Sequence, residues 1–369
     1  MRLLCISSHA DTRNSVRPEA ESFIGLQRAG VDVHVLTQRD SAYAEELRAA
    51  GVNLIHQQLR KKFSWNDMRE IRRVIIEQRI DAVYAFNNKA ICNSAFACIG
   101  LPVVMITYRG QTGNIYRHDP SAYLTHLHPR VNAIVGVSQS VVDDLRPRVR
   151  PSVAVERIYK GHDLSWYTEP ATSKSELGLA ADDFVVGCVA NNRPRKGVKF
   201  LIEACAQLAD LDNLKLVLVG SGMDEAHLGP LLEQAGISKR TLTLGLRKDA
   251  TSLIQACDVA VLPAVRREGL PKTVIEAMAY GIPNIVTDTG GNAELVADQQ
   301  SGLVVPVADS AALAAAIRQL HADPQAAAEM GRLGQRRIET NFHVNSTVRE
   351  THSLIKRLLA TRQDRKPST

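Results

Sequence analysis

The stretch RREGLPKTVIEAMAYGIPNIVTDTGGNAELV, residues 266–296, predicts a loop, a helix, a strand, a second loop and the start of another helix. Pro271 suits the first helical position, because its ring presets φ and an N–H there would have no partner. The free amides of Lys272, Thr273 and Val274 then form an anion site, to which the Lys272 side chain adds positive charge. Glu276 follows about one turn later, and its carboxylate suits the paired hydroxyls of a ribose. The stretch therefore predicts a site for a nucleotide sugar.

Acidic residues near a helix start are favoured by the helix dipole alone, so Glu268 and Glu276 are weak evidence by themselves. The whole string EGLPKTVIEAMAYGIP, followed by GGNAE, closely resembles the donor-site signature of glycosyltransferase family 4. Members of that family are retaining enzymes of the GT-B fold. The resemblance implies that Glu276 binds the ribose and that Glu268 is a catalytic residue on the hydroxyls of the donor sugar. It also implies a donor-binding segment made of Gly269, Leu270, Pro271, Lys272 and Thr273.

Length and composition indicate a globular protein of two domains. The chain has 369 residues, of which 45% are hydrophobic and 23% charged, values typical of soluble proteins. Its six cysteines form no CxxC pair, so we expect buried thiols in a reducing compartment and no metal framework. The apolar start is too short for a secretory signal. Residues 90–108 carry no charge, but the break at 100–102 favours a buried helix, a turn and a buried strand over a membrane span.

The net charge of +6 is unevenly placed. Residues 1–165 hold 22 Lys and Arg against 16 Asp and Glu, and the rest of the chain holds 23 of each. A run of charges is usually a solvated surface, but a basic half beside a neutral half indicates an anionic partner. A membrane surface or a phosphorylated acceptor fits, and no nucleic-acid motif accompanies the charge. The cations cluster at Arg60, Lys61 and Lys62, at Arg69, Arg72, Arg73 and Arg79, and at Arg146, Arg148 and Arg150.

Short apolar strands alternate with helical patterns along the whole chain, which predicts an α/β fold with parallel, doubly wound sheets. We expect two Rossmann-like domains that face each other across a cleft, as in the GT-B fold. The polar segment 168–183 reads as a linker. The expected parts are an acceptor-binding domain at 1–167, a nucleotide-sugar-binding domain at 168–343, and a helix and tail at 344–369 that packs back on the first domain.

A second basic segment, NNRPRKGVKF, follows the first predicted strand of the second domain. A solvated basic turn would explain it in isolation, but next to residues 266–296 it predicts a diphosphate clamp. Lys196 matches the Lys of the family's Lys-Gly pair and is a predicted catalytic residue. The family's arginine position is Ala190 here, so Arg193 or Arg195 has to supply that charge. In the loop LTLGLRKDA, the nucleotide base is expected to bind at Gly245, Leu246 and Arg247.

The first domain departs from the family pattern in three segments. Pro18 and Glu19 stand where a paired-glycine loop usually follows the first strand. Arg109, which we expect to act in catalysis, takes the place of a histidine in a Thr-x-His pattern. Lys160 replaces an asparagine in the segment that closes the domain. These departures concern the acceptor and the mechanism and leave the fold unaffected. Three histidines between predicted strands are weaker candidates: His118, His126 and His128.

The sequence thus predicts a retaining glycosyltransferase that moves a sugar from a nucleotide-diphosphate sugar to a glycan or a lipid-linked acceptor. Cell-envelope polysaccharide or lipopolysaccharide synthesis in the cytoplasm, at the inner membrane face, is the preferred setting. Negative charge builds on the leaving diphosphate, and the basic residues and the helix start can stabilise it. We therefore expect no metal and no cofactor. Two alternatives stay open: a nucleotide-sugar 2-epimerase of the same fold, and a sugar-nucleotide-binding protein without activity.

Overall fold

The computed structural model describes residues 1–9 and 13–363. The chain divides into two compact units. Unit 1 contains Met1–His162 together with the C-terminal segment that begins at Phe342, and unit 2 contains Asp163–Asn341. The chain therefore leaves unit 1 once and returns to it with its last helix.

Unit 1 is built on a parallel sheet of seven strands in the order β3-β2-β1-β4-β5-β6-β7. The strands are β1 Arg2–Ile6, β2 Asp32–Thr37, β3 Asn53–His56, β4 Ala82–Ala85, β5 Val104–Arg109, β6 Ala133–Gly136 and β7 Ala154–Arg157. Its helices are α1 Arg13–Arg28, α2 Ala44–Ala49, α3 Trp65–Glu77, α4 Asn88–Ala97, a short 3₁₀ helix Pro120–Leu124, and α5 Gln139–Leu145. The returning helix is α13, Val344–Gln363, when helices are numbered through the whole chain.

The core of unit 1 follows from its sequence pattern. Strand β1 is buried at Leu3, Leu4, Cys5 and Ile6, as a central strand covered on both faces must be. Helix α3 buries one apolar stripe at helical spacing, made of Met68, Ile71, Val74 and Ile75. Helix α13 packs against α1 at Gly25, where an added Cβ would lie 2.4 Å from Val348. The contact explains why a residue without a side chain stands there in the middle of a helix.

Unit 2 is built on a parallel sheet of six strands in the order β10-β9-β8-β11-β12-β13. The strands are β8 Phe184–Val189, β9 Leu214–Val219, β10 Thr241–Thr243, β11 Val259–Leu262, β12 Asn284–Thr287 and β13 Gly302–Val305. The helices are α6 Val198–Ala206, α7 Glu225–Gln234, α8 Ala250–Leu253, α9 Lys272–Ala279, α10 Asn292–Leu295, α11 Ser310–Ala322 and α12 Pro324–Asn341. Short 3₁₀ helices occur at Leu164–Trp166, Ser175–Leu177, Pro194–Lys196, Ser238–Arg240 and Ile254–Ala256.

Both sheets are doubly wound, and each has a point where the strand order reverses. The reversal lies between β1 and β4 in unit 1 and between β8 and β11 in unit 2. Ligands of such sheets bind at the carboxyl ends of the strands, at these switch points. The two doubly wound parallel sheets predicted from the sequence are confirmed. The acceptor and donor roles assigned to the two parts of the chain stay predictions.

The apolar stretch 90–108 spans helix α4, a turn and strand β5. None of the helices in the described residues is long and apolar enough to span a bilayer. All six cysteines are free and buried, and burial raises the pKa of the Cys98 and Cys188 thiols to about 12.

Two buried glycines of helix α12 allow a test of how closely this helix packs against the rest of unit 2. A Cβ at Gly331 would lie 1.9 Å from the carbonyl oxygen of Gly281, whereas at Gly334 it would lie 3.5 Å from the nearest atom. We expect Gly331→Ala to lower the free energy of unfolding by about 1–3 kcal/mol, because backbone has to shift. Gly334→Ala is the matched control and should leave stability unchanged or raise it by up to about 1 kcal/mol through helix propensity. Urea denaturation of both variants measures the difference, and equal effects would contradict the close approach.

Candidate functional site

A buried carboxylate with two cations lies at the switch point of unit 2. Glu268 follows β11 and is only 5% exposed. Its Oε1 atom lies 2.8 Å from Lys196 Nζ and 3.1 Å from Arg195 Nη1. Both cations come from the loop after β8, the strand that pairs with β11. An ionised group so deeply buried needs paired charge, and the three side chains together carry one net positive charge.

Glycines let the loops after β8, β11 and β12 approach one another closely. Gly197 has φ +68°, and a Cβ there would lie 1.9 Å from the carbonyl oxygen of Pro263. Gly290 has φ +60°, and a Cβ there would lie 2.1 Å from the carbonyl oxygen of Glu268. Arg267, directly before Glu268, also has positive φ, at 62°, which is unusual for a residue with a side chain. Close approach and local strain thus fix the position of the Glu268 carboxylate.

Helix α9 begins just after this carboxylate. The structure corrects the sequence prediction at Pro271, which has ψ 119° and is the N-cap, so the first helical residue is Lys272. The amides at the helix start are those predicted, because an N-cap proline moves the helix by one position only. Lys272 Nζ lies 2.6 Å from Glu276 Oε1, an i,i+4 ion pair.

Glu276 is buried, although it is one turn from the start of a helix. Burial raises the pKa of Glu276 above its ordinary value, and the charge of Lys272 opposes that shift only in part. A glutamate that served the helix dipole alone would lie in solvent. A buried carboxylate whose charge is disfavoured is instead typical of a site that awaits hydrogen-bond donors from a ligand.

A groove of about 480 Å³ adjoins the loop after β8. It is lined by Arg193, Ser221, Asp224, His227 and Leu246, among other residues. Arg193 is exposed and reaches this groove, whereas Arg195 pairs with Glu268, so the two arginines have different surroundings.

The three predicted base-binding residues lie beside one another at the end of β10. The Gly245 carbonyl accepts a hydrogen bond from Gly220 N at 2.7 Å, and Gly245 N donates to Met223 O at 3.0 Å. Leu246 is exposed, and the Arg247 guanidinium is paired with Asp249 at 2.7 Å. The backbone of Gly245 is therefore already hydrogen-bonded, whereas the residues that follow it, Leu246 and Arg247, are exposed.

The remaining donor residues lie between the two carboxylates: Gly269 is buried, and Leu270 and Thr273 are half-buried. In this way unit 2 brings together Arg195, Lys196, Glu268 and the start of α9. Among the described residues, no three His, Cys, Asp or Glu side chains are grouped as metal ligands.

Arg109 belongs to unit 1 and ends strand β5. Its guanidinium donates hydrogen bonds to the carbonyl oxygens of Gln111, at 2.8 Å, and of Gly113. These contacts hold the loop after β5, and the catalytic role of Arg109 stays a prediction. Nearby, His126 shares a hydrogen bond of 3.0 Å with Thr107. Burial, and to a smaller extent the charge of Arg109, lowers the pKa of His126 to about 3, so this histidine is neutral.

Two departures from the family pattern meet in unit 1. Glu19, on α1, lies 3.5 Å from the Nζ atom of Lys160, which is 141 positions later in the chain. Its other oxygen is 3.0 Å from His9 Nε2. Burial raises the pKa of Glu19, but the Lys160 charge and the His9 hydrogen bond outweigh it, and the result is about 2. The sequence singled out both residues, and only the fold shows that they are partners.

His9 was missed as a partner of Glu19. It is buried, has positive φ of 44° and stacks on Phe23 at 5.8 Å between ring centroids. Its Nδ1 atom has no hydrogen-bond partner among the described residues. The signal available in the sequence was the position of a histidine directly after the central strand of a doubly wound sheet.

A cavity of about 400 Å³ lies in unit 1 at the carboxyl ends of the strands. Its apolar lining is Ile6, Leu36 and Leu59, and Lys89 is the one charged residue among the described residues that line it. The rest of the polar lining consists of two serines and five amides, the latter being Gln38, Gln57, Gln58, Asn87 and Asn88. Such a lining suits an uncharged ligand rich in hydroxyls.

Two family models match the chain. The model described as Glycosyltransferase Family 4 matches residues 24–166. The model described as Glycosyl transferases group 1 matches residues 171–337. The two matches together take up most of the chain, and the Glu268 site lies in the second of them.

Curated relatives match over part of their length. EpsD of Bacillus subtilis is 36% identical over 178 residues, which is 48% of this chain and 46% of EpsD. The lipopolysaccharide core biosynthesis glycosyltransferase LpsE of Rhizobium meliloti is 32% identical over 153 residues, which is 42% of this chain and 44% of LpsE. The chain thus spans about half the length of these curated relatives.

A solved structure matches over nearly all of both chains. The crystal structure of HepE from Anabaena in complex with UDP has a TM-score of 0.76 and 21% sequence identity. The match covers 96% of this chain and 99% of HepE. At that identity the likeness shows the fold, which is GT-B.

Replacing Glu276 by glutamine distinguishes two roles for this residue: binding a ligand, and stabilising the helix through its dipole. The raised pKa means that the charged carboxylate destabilises the folded chain at neutral pH, and that this effect disappears as pH falls through the folded pKa. The neutral Gln should therefore keep or raise the free energy of unfolding while it lowers affinity for UDP or GDP about 10-fold or more. Denaturation and titration calorimetry measure the two quantities. Glu233→Gln, on exposed helix α7, is the control. Loss of stability without loss of affinity would contradict a ligand role.

The contacts of Glu19 with His9 and Lys160 predict how the free energy of unfolding depends on pH. A pKa lowered from 4.5 to about 2 contributes stability that is present above about pH 4.5 and is lost as pH falls toward 2. Glu19→Gln should lower the free energy of unfolding at neutral pH by about 2–3 kcal/mol. The difference from the wild type should shrink on acidification. The exposed Glu45→Gln is the control, and a difference that does not depend on pH would show that the carboxylate charge is unimportant.

Proposed function

Because the chain belongs to glycosyltransferase family 4, we propose that it transfers a sugar from a nucleotide-diphosphate sugar to an acceptor hydroxyl with retention at the anomeric carbon. Unit 2 binds the donor, and unit 1 binds the acceptor. The observation that carries the proposal is the pairing of buried Glu268 with Arg195 and Lys196 beside the start of α9. A nucleotide sugar needs cations for its diphosphate and carboxylates for its hydroxyls, and both kinds of side chain are present there.

Charge balance supports assigning this cluster to the diphosphate. Arg195 and Lys196 exceed Glu268 by one positive charge, and the amides at the start of α9 add partial positive charge. A diphosphate that enters can share the two cations, whose fixed position avoids reorganisation. Both cations contact the same oxygen of Glu268, so its Oε2 atom can accept a hydrogen bond from a sugar hydroxyl. Glu276 takes the ribose hydroxyls in the same way.

In the reaction, the bond between the anomeric carbon and the diphosphate oxygen breaks as the acceptor oxygen bonds to that carbon. The acceptor hydroxyl passes its proton to the departing diphosphate oxygen on the same face of the sugar, and the nucleoside diphosphate leaves with the electron pair of the broken bond. Lys196 and Arg195 stabilise this charge as it develops, and Glu268 stabilises the electron-poor sugar. Lys196 and Glu268 are thus the residues of unit 2 that we assign to catalysis, and Arg109 of unit 1 remains the third proposed catalytic residue.

The acceptor is proposed to be a glycan or a lipid-linked glycan of the cell envelope, reached from the cytoplasmic face of the membrane. Support comes from the basic excess of residues 1–165 and from the likeness to LpsE, which acts in lipopolysaccharide core biosynthesis. The cavity lined by amides in unit 1 suits a sugar. UDP is the first nucleotide to test, because HepE binds it.

The transfer is tested with UDP- and GDP-hexoses labelled in the sugar, and with lipid-linked glycans extracted from bacterial envelopes. We expect label in the glycan and release of one nucleoside diphosphate for each sugar transferred. Lys196→Gln should lower kcat about 10²–10³-fold, because a charge that stabilises the transition state is removed. Lys199→Gln, an exposed lysine three positions later, is the control and should keep full activity.

Other outcomes identify the alternatives. Conversion of the donor to its 2-epimer without acceptor would indicate an epimerase. UDP or GDP binding that shifts the melting temperature, without consumption of any donor, would indicate a binding protein. No binding of either nucleotide would contradict the donor site itself.

A further inference from the structure

The segment Arg60–Trp65, which runs from the loop after β3 to the first residue of α3, displays cations and aromatic rings together. Arg60, Lys61 and Lys62 are exposed. Phe63 is 40% exposed and Trp65 is 71% exposed, so Trp65 has its indole largely in solvent. Large aromatic side chains of a folded domain are normally buried, and exposed ones beside cations indicate a binding surface. We refer to residues 60–65 as the docking loop.

The exposure of these rings is built into the fold. Asn93, buried on α4, accepts a hydrogen bond from Ser64 N at 2.9 Å and donates one to Lys61 O at 3.2 Å. Ser64 also caps helix α3. These bonds fix the backbone of the docking loop on both sides of Phe63.

The ring of Phe63 links the docking loop to the body of unit 1. It makes edge contacts with Trp65 at 5.4 Å and with Phe96 at 5.2 Å between centroids. Phe63 therefore packs between Phe96 and Trp65, and this packing restrains the exposed indole of Trp65.

Among the described residues, the cations of the docking loop have no acidic side chain at ion-pair distance, although the charge of Lys62 is one of the smaller causes that lower the pKa of Asp119. Residues 57–66, QQLRKKFSWN, contain no Asp or Glu, and within the described residues none of the three side chains makes an ion pair or hydrogen bond. Other cations of unit 1 differ: Arg72 donates to the carbonyl oxygens of Ala97 and Ile99, and Arg73 pairs with Glu70. The acidic residue nearest in sequence, Asp67, accepts a hydrogen bond from Gln57.

We propose that the docking loop binds the surface of an anionic lipid bilayer. The three cations would lie among the lipid phosphates, and Trp65 would lie at headgroup depth, where tryptophan is enriched. The proposal deepens the membrane part of the proposed function and rests on it. It also narrows the basic surface to the docking loop, because Arg72 and Arg73 of α3 already have partners in the protein: backbone carbonyl oxygens for Arg72 and Glu70 for Arg73.

The position of the docking loop relative to the cavity of unit 1 favours a membrane over an acidic protein. Gln57, Gln58 and Leu59 line the cavity, and Arg60 is the next residue in the chain. A bilayer that meets the docking loop would therefore hold a lipid-linked glycan with its sugars beside the cavity. An acidic protein partner would gain nothing from this arrangement.

The test is sedimentation of the full chain with vesicles of phosphatidylcholine alone and of seven parts phosphatidylcholine to three parts phosphatidylglycerol. Wild type should bind only the anionic vesicles. Lys61→Glu with Lys62→Glu should lower the partition coefficient on the order of 30-fold or more. The control, Lys239→Glu with Lys356→Glu, makes the same change in net charge at exposed positions elsewhere. Equal loss in both variants would overturn the proposal, because it would show attraction by net charge alone.

Trp65 supplies a second readout that does not depend on charge. In a Trp166→Phe background Trp65 is the one tryptophan, and its fluorescence should shift to the blue with anionic vesicles and be quenched by brominated lipid. Trp65→Ser should weaken binding several-fold, and the loss should persist at high salt. Emission that is unchanged in the presence of bound vesicles would overturn the proposal. Failure of wild type to bind either vesicle would do so as well and would favour an acidic protein partner.

UDP and GDP titrations of the same variants separate this proposal from the proposed function. The docking loop is in unit 1 and the donor site in unit 2, so nucleotide affinity should be unchanged in every docking-loop variant. Vesicle binding without nucleotide binding would support the membrane-binding surface and would contradict the proposed transferase activity.

Discussion

The buried charge of Glu268 is the constraint on which the donor site of unit 2 depends. A carboxylate that is 5% exposed has to have cations at contact distance. Those cations, Arg195 and Lys196, follow a different strand of the sheet. The loops after β8 and β11 therefore have to approach closely, and they do so where Gly197 meets the carbonyl of Pro263 without a Cβ between them. One electrostatic requirement thus determines a glycine, a left-handed backbone position and the separation of two loops.

The need of a buried carboxylate for cations also shows where unit 2 gives up stability. Glu268 is matched by two cations, but Glu276 has one, and burial raises the pKa of Glu276. A chain selected for stability alone would place an apolar residue in that buried position of α9. A ligand with hydroxyl donors could satisfy this carboxylate, whereas it could not satisfy an alanine or leucine in the same place. The cost of burial is therefore itself an argument for a ligand site.

Most of the fold and part of the site could be predicted from the sequence, because they rest on local patterns. Alternating strands and helices predicted both sheets, and residues 266–296 contain the two carboxylates and the start of α9. What the sequence could not show depends on contacts between distant residues. Glu19 and Lys160 looked like two unrelated departures from a family pattern, and they form an ion pair. Pro271 was placed one position too far into the helix, because only its ψ of 119° shows that it is a cap.

Charge shows the same limit more sharply. The excess of cations in residues 1–165 could be counted from the sequence, but a count does not say which cations face solvent. Arg130 donates to the carbonyl oxygens of Cys98 and Leu101, and Arg150 donates to that of Pro129, so these guanidiniums hold turns together. Cations counted in a sequence can therefore be engaged in hydrogen bonds to the backbone of the protein itself, even where the side chain lies at the surface, as at Arg150. Within the described part of the chain, Arg60, Lys61 and Lys62 form no ion pair and lie beside exposed aromatic rings, and this combination is the reason that we propose them, and not the other cations of unit 1, as the surface for an anionic bilayer.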